Sequence, residues 1–262
     1  MPEVETRNGP IEYTFLDGDP EAAPLVFVHG GTGAIATWNR FPRLLAARTG
    51  RRALLFSRHG NGFSGPAKLP RTPRYMHEEG QEKLPELLDL LGVERPVLVG
   101  HSDGGSMSLL YASVRPVEAV VALGPHLYCE ESTLRGVRAA RESFDAGGSF
   151  AKRVAMMHAD PRTVVDGWSD VWLSPAFRTW TIEGDLDVTA PVLLIQGSRD
   201  EYGTLGQLDA AERALSGPVR REVIEGGGHY QHMADDPERV VAAISSFLTA
   251  FVPGHRAPEA HV

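Results

Sequence analysis

One cysteine, Cys129, is all the chain has, so no internal disulfide can form, and the disulfide-stapled secreted class is excluded. No apolar run approaches the length of a membrane span. The first fifteen residues, MPEVETRNGPIEYTF, are acidic and polar where a secretory leader would be basic and then apolar. Basic residues never run longer than a pair such as Arg51-Arg52, and the net charge is -8, which argues against a nucleic-acid groove. The G-x-x-x-x-G-K-[ST] pattern of a phosphate-cradling loop is also missing. These absences lead to the expectation of a cytoplasmic protein with neither a membrane nor a nucleic-acid partner.

What the chain does have is 262 residues with 42% hydrophobic content, enough for one large core or a core with an insertion. Ile11 to Leu16 reads as a strand ended by Asp17-Gly18-Asp19-Pro20. Leu25 to Val28, Ala53 to Phe56, Val97 to Val99, Ala119 to Leu123, Val192 to Ile195 and Arg221 to Ile224 read as further strands, most of them wholly apolar and short enough to be buried in a parallel sheet. Helical spacing recurs at Phe41 to Arg48, about Glu78 to Leu91, and Pro237 to Phe251. Strand alternating with helix predicts an α/β fold, a parallel sheet with helices on both faces. From Gly124-Pro125 to about Val188 the pattern changes to charged helical segments, Glu131 to Phe144 and Phe150 to His158, broken by proline and glycine. Trp168, Trp172 and Trp180 fall here, and the segment is expected to be a helical cap of about sixty residues over the sheet. Packing against the main body is the first expectation for the tryptophans. His126, Trp168 and Trp172 are the candidates for substrate contact.

The stretch Val97 to Leu110, VLVGHSDGGSMSLL, places G-x-S-x-G in the strand-turn-helix context that gives the pattern meaning. Ser102 stands at the apex, where the backbone must be strained to hold a hydroxyl clear of the sheet, and Gly100, Gly104 and Gly105 take away side chains that would clash. Two other loops after strands carry polar residues at matching places: Asp200 in Gly197-Ser198-Arg199-Asp200, and His229 in Gly226-Gly227-Gly228-His229. The carboxyl ends of parallel strands share one edge of a sheet, so Ser102, Asp200 and His229 are expected to converge, in the chain order this topology imposes on such a triad. A serine hydroxyl needs a base near neutral pKa, and the base needs a carboxylate to fix its tautomer. The backbone amides of Asp103 and of Gly31, in His29-Gly30-Gly31-Thr32-Gly33, would hold an oxyanion. Asp185, Asp187 and Glu201 are the competing carboxylates. His232 is expected to be a surface or supporting residue, and His29 a brace for the glycine loop.

VFVHGGTG, VGHSDGG, LLIQGSRDEYG and EGGGHYQHMADDPE resemble the motifs of the α/β-hydrolase fold superfamily, and together they span residues from about 10 to 252. The resemblance implies an eight-stranded, mostly parallel sheet flanked by helices, with a helical cap after strand six. The core would be residues 1–124 and 189–252, the cap 125–188, and 253–262 a disordered tail. SRHGNGFSG departs from the Asp-Arg-x-Gly-x-Gly-x-Ser loop frequent in the family. Ser102 argues against the dehalogenases and epoxide hydrolases of the fold, which carry a carboxylate nucleophile, and Asp103 stands where prolyl aminopeptidases tend to have Trp. The expected reaction is hydrolysis of a small-molecule carboxylic ester or lactone through an acyl-serine, with no cofactor and no metal, by a monomer or homodimer. PHLYCEE and GWSDVWLSPAF resemble segments of serine esterases that open macrolide lactones. Carbon-carbon bond hydrolases, lyases on the same triad, and hydrolase-fold ligand-binding proteins with little turnover are the alternatives.

Overall fold

The computed structural model describes residues 1–252, so the expectation for the 253–262 tail lies outside the described residues. Eight strands form one sheet in the order β1-β2-β4-β3-β5-β6-β7-β8. They are β1 (Glu3–Thr6), β2 (Gly9–Leu16), β3 (Leu25–Val28), β4 (Ala53–Phe56), β5 (Val97–His101), β6 (Ala119–Leu123), β7 (Val192–Gly197) and β8 (Val219–Ile224). The pairings β1 with β2 and β2 with β4 are antiparallel, and the remaining five are parallel. This is the mostly parallel α/β sheet expected from the sequence.

The central strands are apolar throughout because both faces are covered, and successive residues feed two separate cores. Val26, Leu54, Leu98, Val120 and Leu194 enter one cluster, while Phe27, Leu55, Val99, Val121 and Ile195 enter the other. On the second face pack α1 (Phe41–Thr49) and α9 (Pro237–Phe251). The first face is covered by α2 (Tyr75–His77), α3 (Leu84–Leu90), α4 (Asp103–Ala112) and α8 (Gly206–Ala214). A π-helical stretch over Glu78–Lys83 joins α2 to α3, so this helical region starts three residues earlier than the spacing suggests.

After β6 the chain leaves the sheet for α5 (Glu131–Asp145), α6 (Ser149–Met157) and α7 (Pro161–Leu173), then short 3-10 turns at Pro175–Thr179 and Glu183–Asp185, before returning in β7. Asp160 caps α7 by accepting from Thr163 N, and Pro161 fills the first helical position, where a missing N–H costs nothing. Val164, Val165, Trp168, Val171 and Trp172 are the buried apolar side chains of α7, and Trp168, Val171 and Trp172 join the first core cluster together with Leu134 and Val137 of α5.

Candidate active site

The turn between β5 and α4 holds Ser102 at φ 56° and ψ -127°, a conformation that costs a non-glycine residue roughly 1–3 kcal/mol. Its neighbours pin it there: Ser102 N donates to Leu123 O at 2.8 Å, and Gly105 N donates to Ser102 O at 2.8 Å. A Cβ at Gly100 would overlap Gly104 O, and one at Gly104 would overlap Val28 O. Both glycines are therefore dictated by the close passage of β3 and α4 around the serine.

The glycine loop after β3 runs past the same point, with the Gly30 Cβ position 3.0 Å from Ser102 Cβ. Its carbonyls are tied down from the β4 loop. Arg58 Nη2 donates to Gly30 O at 2.8 Å, and Asn61 Nδ2 donates to Gly31 O at 3.2 Å and to Gly33 O at 2.8 Å. His29 braces the loop, as expected. Its Nε2 accepts from Arg58 N at 2.9 Å, so its Nδ1–H donates to Gly30 O at 2.8 Å. Burial above all holds the His29 pKa well below its ordinary value.

Past the end of β7, Asp200 Oδ1 accepts from Tyr202 N at 2.8 Å and Gly203 N at 3.2 Å. Both carboxylate oxygens lie 2.9 Å from His229 Nδ1, past the end of β8. Of the competing carboxylates, Glu201 accepts from the backbone N–H of His229 at 3.1 Å, and Asp185 contacts His77 Nε2 at 2.9 Å. Burial pushes the His229 pKa down, but the charge and hydrogen bond of Asp200 outweigh it and set it above the ordinary value. For Asp200 burial works upward, and the His229 partnership overrides it to leave the carboxyl below its usual range.

Three further histidines surround this pair. His101 Nε2 donates to His229 O at 3.0 Å and so steadies the loop that carries His229. His232 is no surface residue. Only 1% exposed, it packs against the rings of Trp38, Phe41 and His101, and burial drives its pKa to about 3. The third, His126, follows β6, and its Nε2 lies 3.3 Å from Ser102 Oγ. Among the described residues no hydrogen bond joins Ser102 Oγ to His229. Sequence reasoning gave His126 a substrate-contact part only; the structure sets it against the serine oxygen itself. The one available signal was its place two residues after Gly124, at the same sheet edge as Ser102.

The Asp103 carboxylate is fully buried beneath the turn and accepts from Tyr75 Oη at 2.5 Å. Trp168 of α7 covers Gly31 so closely that a Cβ there would enter the indole ring. One turn further on, Trp172 sets its ring at 5.0 Å and 70° to that of His126. Trp180, also buried, stacks on Phe177 at 4.9 Å. A cavity of about 380 Å³ lies between the sheet edge and α5–α7, within the usual size range of small-molecule pockets. Ser102, His126, His229 and Gly30 to Gly33 line one side of it, and Val137, Phe150, Met157, Trp168 and Trp172 the other. Among the described residues no group of three or more His, Cys, Asp or Glu side chains is placed to hold a metal ion.

Comparison with known proteins fits this architecture. Mouse sn-1-specific diacylglycerol lipase ABHD11 is 37% identical over 122 residues, a match that spans 46% of this chain and 38% of the mouse protein. The zebrafish (Danio rerio) protein of that name is 25% identical over 274 residues, covering 91% of this chain and 82% of its own. The enol-lactonase of Burkholderia xenovorans LB400 superposes with a TM-score of 0.73 at 20% identity over 95% of this chain and all of that one, a likeness of fold. Among the described residues no helix is long and apolar enough to cross a membrane. Residues 25–243 match the alpha/beta hydrolase family, and the chain belongs to it.

Proposed function

We propose that the protein is a serine hydrolase that cleaves a carboxylic ester or lactone through an acyl-serine intermediate, with Ser102 as nucleophile, His229 as general base and Asp200 as its carboxylate. The observation that carries this reading is the Asp200–His229 pair, at 2.9 Å, at the same sheet edge as a serine held at positive φ. His229 Nε2 takes the hydroxyl proton as Ser102 attacks and returns it to the leaving alcohol, while Asp200 stabilises the imidazolium. Hydrogen bonds of this kind are often loose before substrate arrives and tighten in the complex. The N–H groups of Gly31 and Asp103 receive the oxyanion, each supplying on the order of 3 kcal/mol of transition-state stabilisation.

Residues 125–188 act as the cap over a core of 1–124 and 189–252, and they give the cavity its apolar wall. The substrate is accordingly an ester or lactone with a bulky apolar body. The ester-cleaving relatives support the reaction class, and the cap segments support including macrolide lactones in a substrate screen beside glycerol esters and enol-lactones.

Incubation with a fluorophosphonate followed by peptide mass spectrometry is expected to place the adduct on Ser102, with hydrolysis of short p-nitrophenyl esters lost in Ser102→Ala. Absence of both labelling and turnover in the unaltered protein overturns the proposal.

A further inference from the structure

Two imidazoles share the cavity with the serine, and their surroundings give them opposite chemistry. His229 has a carboxylate on Nδ1, which fixes the proton there and leaves Nε2 as an acceptor. His126 has nothing on Nδ1, which is buried and without a hydrogen-bond partner. A bare buried acceptor is tolerated more readily than a bare buried N–H. The proton of His126 therefore belongs on Nε2, 3.3 Å from Ser102 Oγ. Burial, acting against the charges of Asp103 and Asp200, lowers the His126 pKa to about 4, so the ring is a neutral donor throughout the physiological range. Its place is rigid. Ser106 Oγ donates to His126 O at 2.6 Å and accepts from His126 N at 2.9 Å, and Trp172 packs on the ring.

We infer that His126 is a second catalytic histidine, a neutral hydrogen-bond donor to the nucleophile's own oxygen, and that its main effect falls on deacylation. This rests on the reading of Ser102 as an acyl-forming nucleophile. In acylation the donor helps the hydroxyl release its proton to His229 but also engages a lone pair that must attack, so the two effects partly cancel. In deacylation they do not oppose one another. Water adds to the acyl carbon as His229 takes its proton, and the bond from that carbon to Ser102 Oγ then breaks. The electron pair goes to Oγ, which recovers a proton from the His229 imidazolium, and the carboxylic acid departs. Through this step Oγ gains charge, and a donor fixed on it stabilises the leaving oxygen.

The test follows p-nitrophenyl acetate by stopped flow and intact-protein mass spectrometry in the full chain. In His126→Phe, steady-state turnover is expected to fall about tenfold, the effect of one hydrogen bond of ordinary net strength, with an acetyl-enzyme accumulating after a burst of p-nitrophenol. His126→Gln, whose side-chain amide carries a donor to a similar reach, is expected to restore most of the turnover and abolish the accumulation. Loss of turnover in the Phe variant without acetyl-enzyme, or equal loss in both variants, overturns the inference. Imidazole 15N spectra provide a check that needs no turnover and no His126 variant: Ser102→Ala is expected to shift the His126 Nε2–H resonance. An unmoved resonance overturns the contact, whereas a shifted resonance in a protein that neither labels nor hydrolyses esters retires the esterase reading and leaves the contact standing.

Discussion

Protonation states in this site are set by what each side chain touches. His229 and His126 have the same ring and similar burial, yet a carboxylate on one and none on the other drives their pKa values in opposite directions. Asp103 acts at longer range: its buried charge is one of those that raise the His229 pKa, after Asp200 and Glu201. Asp103→Asn keeps a group that can accept from Tyr75 and removes the charge. Since the base works in its neutral form, a lowered His229 pKa leaves it competent at lower pH. The acid limb of the kcat/KM profile is expected to move to lower pH in this variant, with little change on the plateau; an unmoved limb would show that Asp103 exerts no field on His229. The places of Ser102, Asp200 and His229 were legible in the sequence because each lies in the loop at the carboxyl end of a strand and so inherits its place from the sheet. His126 was not legible as a partner of Ser102. Nothing in its spacing links it to residue 102; only the pairing of β5 with β6 brings the two together.

Among the elements, α7 reaches the site twice, through side chains four residues apart on one face. Trp168 closes on Gly31, and Trp172 on His126. Gly31→Ala is expected to push Trp168 off the loop and reduce kcat/KM for p-nitrophenyl esters on the order of 10²-fold, the range seen when one oxyanion donor is lost. Adding Trp168→Ala should recover part of that loss by making room for the methyl group. A double variant no better than Gly31→Ala would mean that the indole is not what makes glycine necessary there. The apolar runs of β3 to β7 could be read directly, since strands buried on both faces cannot alternate. Residues of β1, EVET, could not, because an edge strand with exposed side chains has the composition of a loop. In α7 the proline at its start and Gly167 within it read as breaks, although Pro161 occupies the one helical position that favours proline and Gly167 is where Leu69 comes within 2.9 Å of a Cβ position.

For the whole molecule, the cluster of buried neutral histidines makes stability depend on pH. His29, His101, His126 and His232 all have pKa values below the ordinary 6.5, with burial the first cause in each. Unfolding exposes them to water, where each binds a proton once the pH falls below about 6.5, so the unfolded state takes up more protons. Their effect is absent above that pH and grows as pH drops toward folded values of about 4 for His126 and about 3 for His232, at up to about 1.4 kcal/mol per pH unit for each histidine. His229 has the opposite sign, because its raised pKa adds stability that fades as pH rises through the folded value. Urea midpoints measured across pH are expected to be highest near neutrality and to fall steeply from about pH 6.5 to 4; a flat profile over that interval would contradict the assignment of neutral buried rings. The helices over the cavity lie between two chain segments that run side by side, with Tyr128 bridged to Thr181, Cys129 N donating to Trp180 O at 3.0 Å and Ile182 N donating to Leu127 O at 2.8 Å. The excursion thus begins and ends at nearly the same point, like a handle on a vessel. In descent, such a handle can be enlarged, trimmed or exchanged at two adjacent seams while the sheet edge that carries Ser102, Asp200 and His229 stays where it is, so under the proposed function substrate range and bond-breaking machinery are free to evolve as separate inheritances.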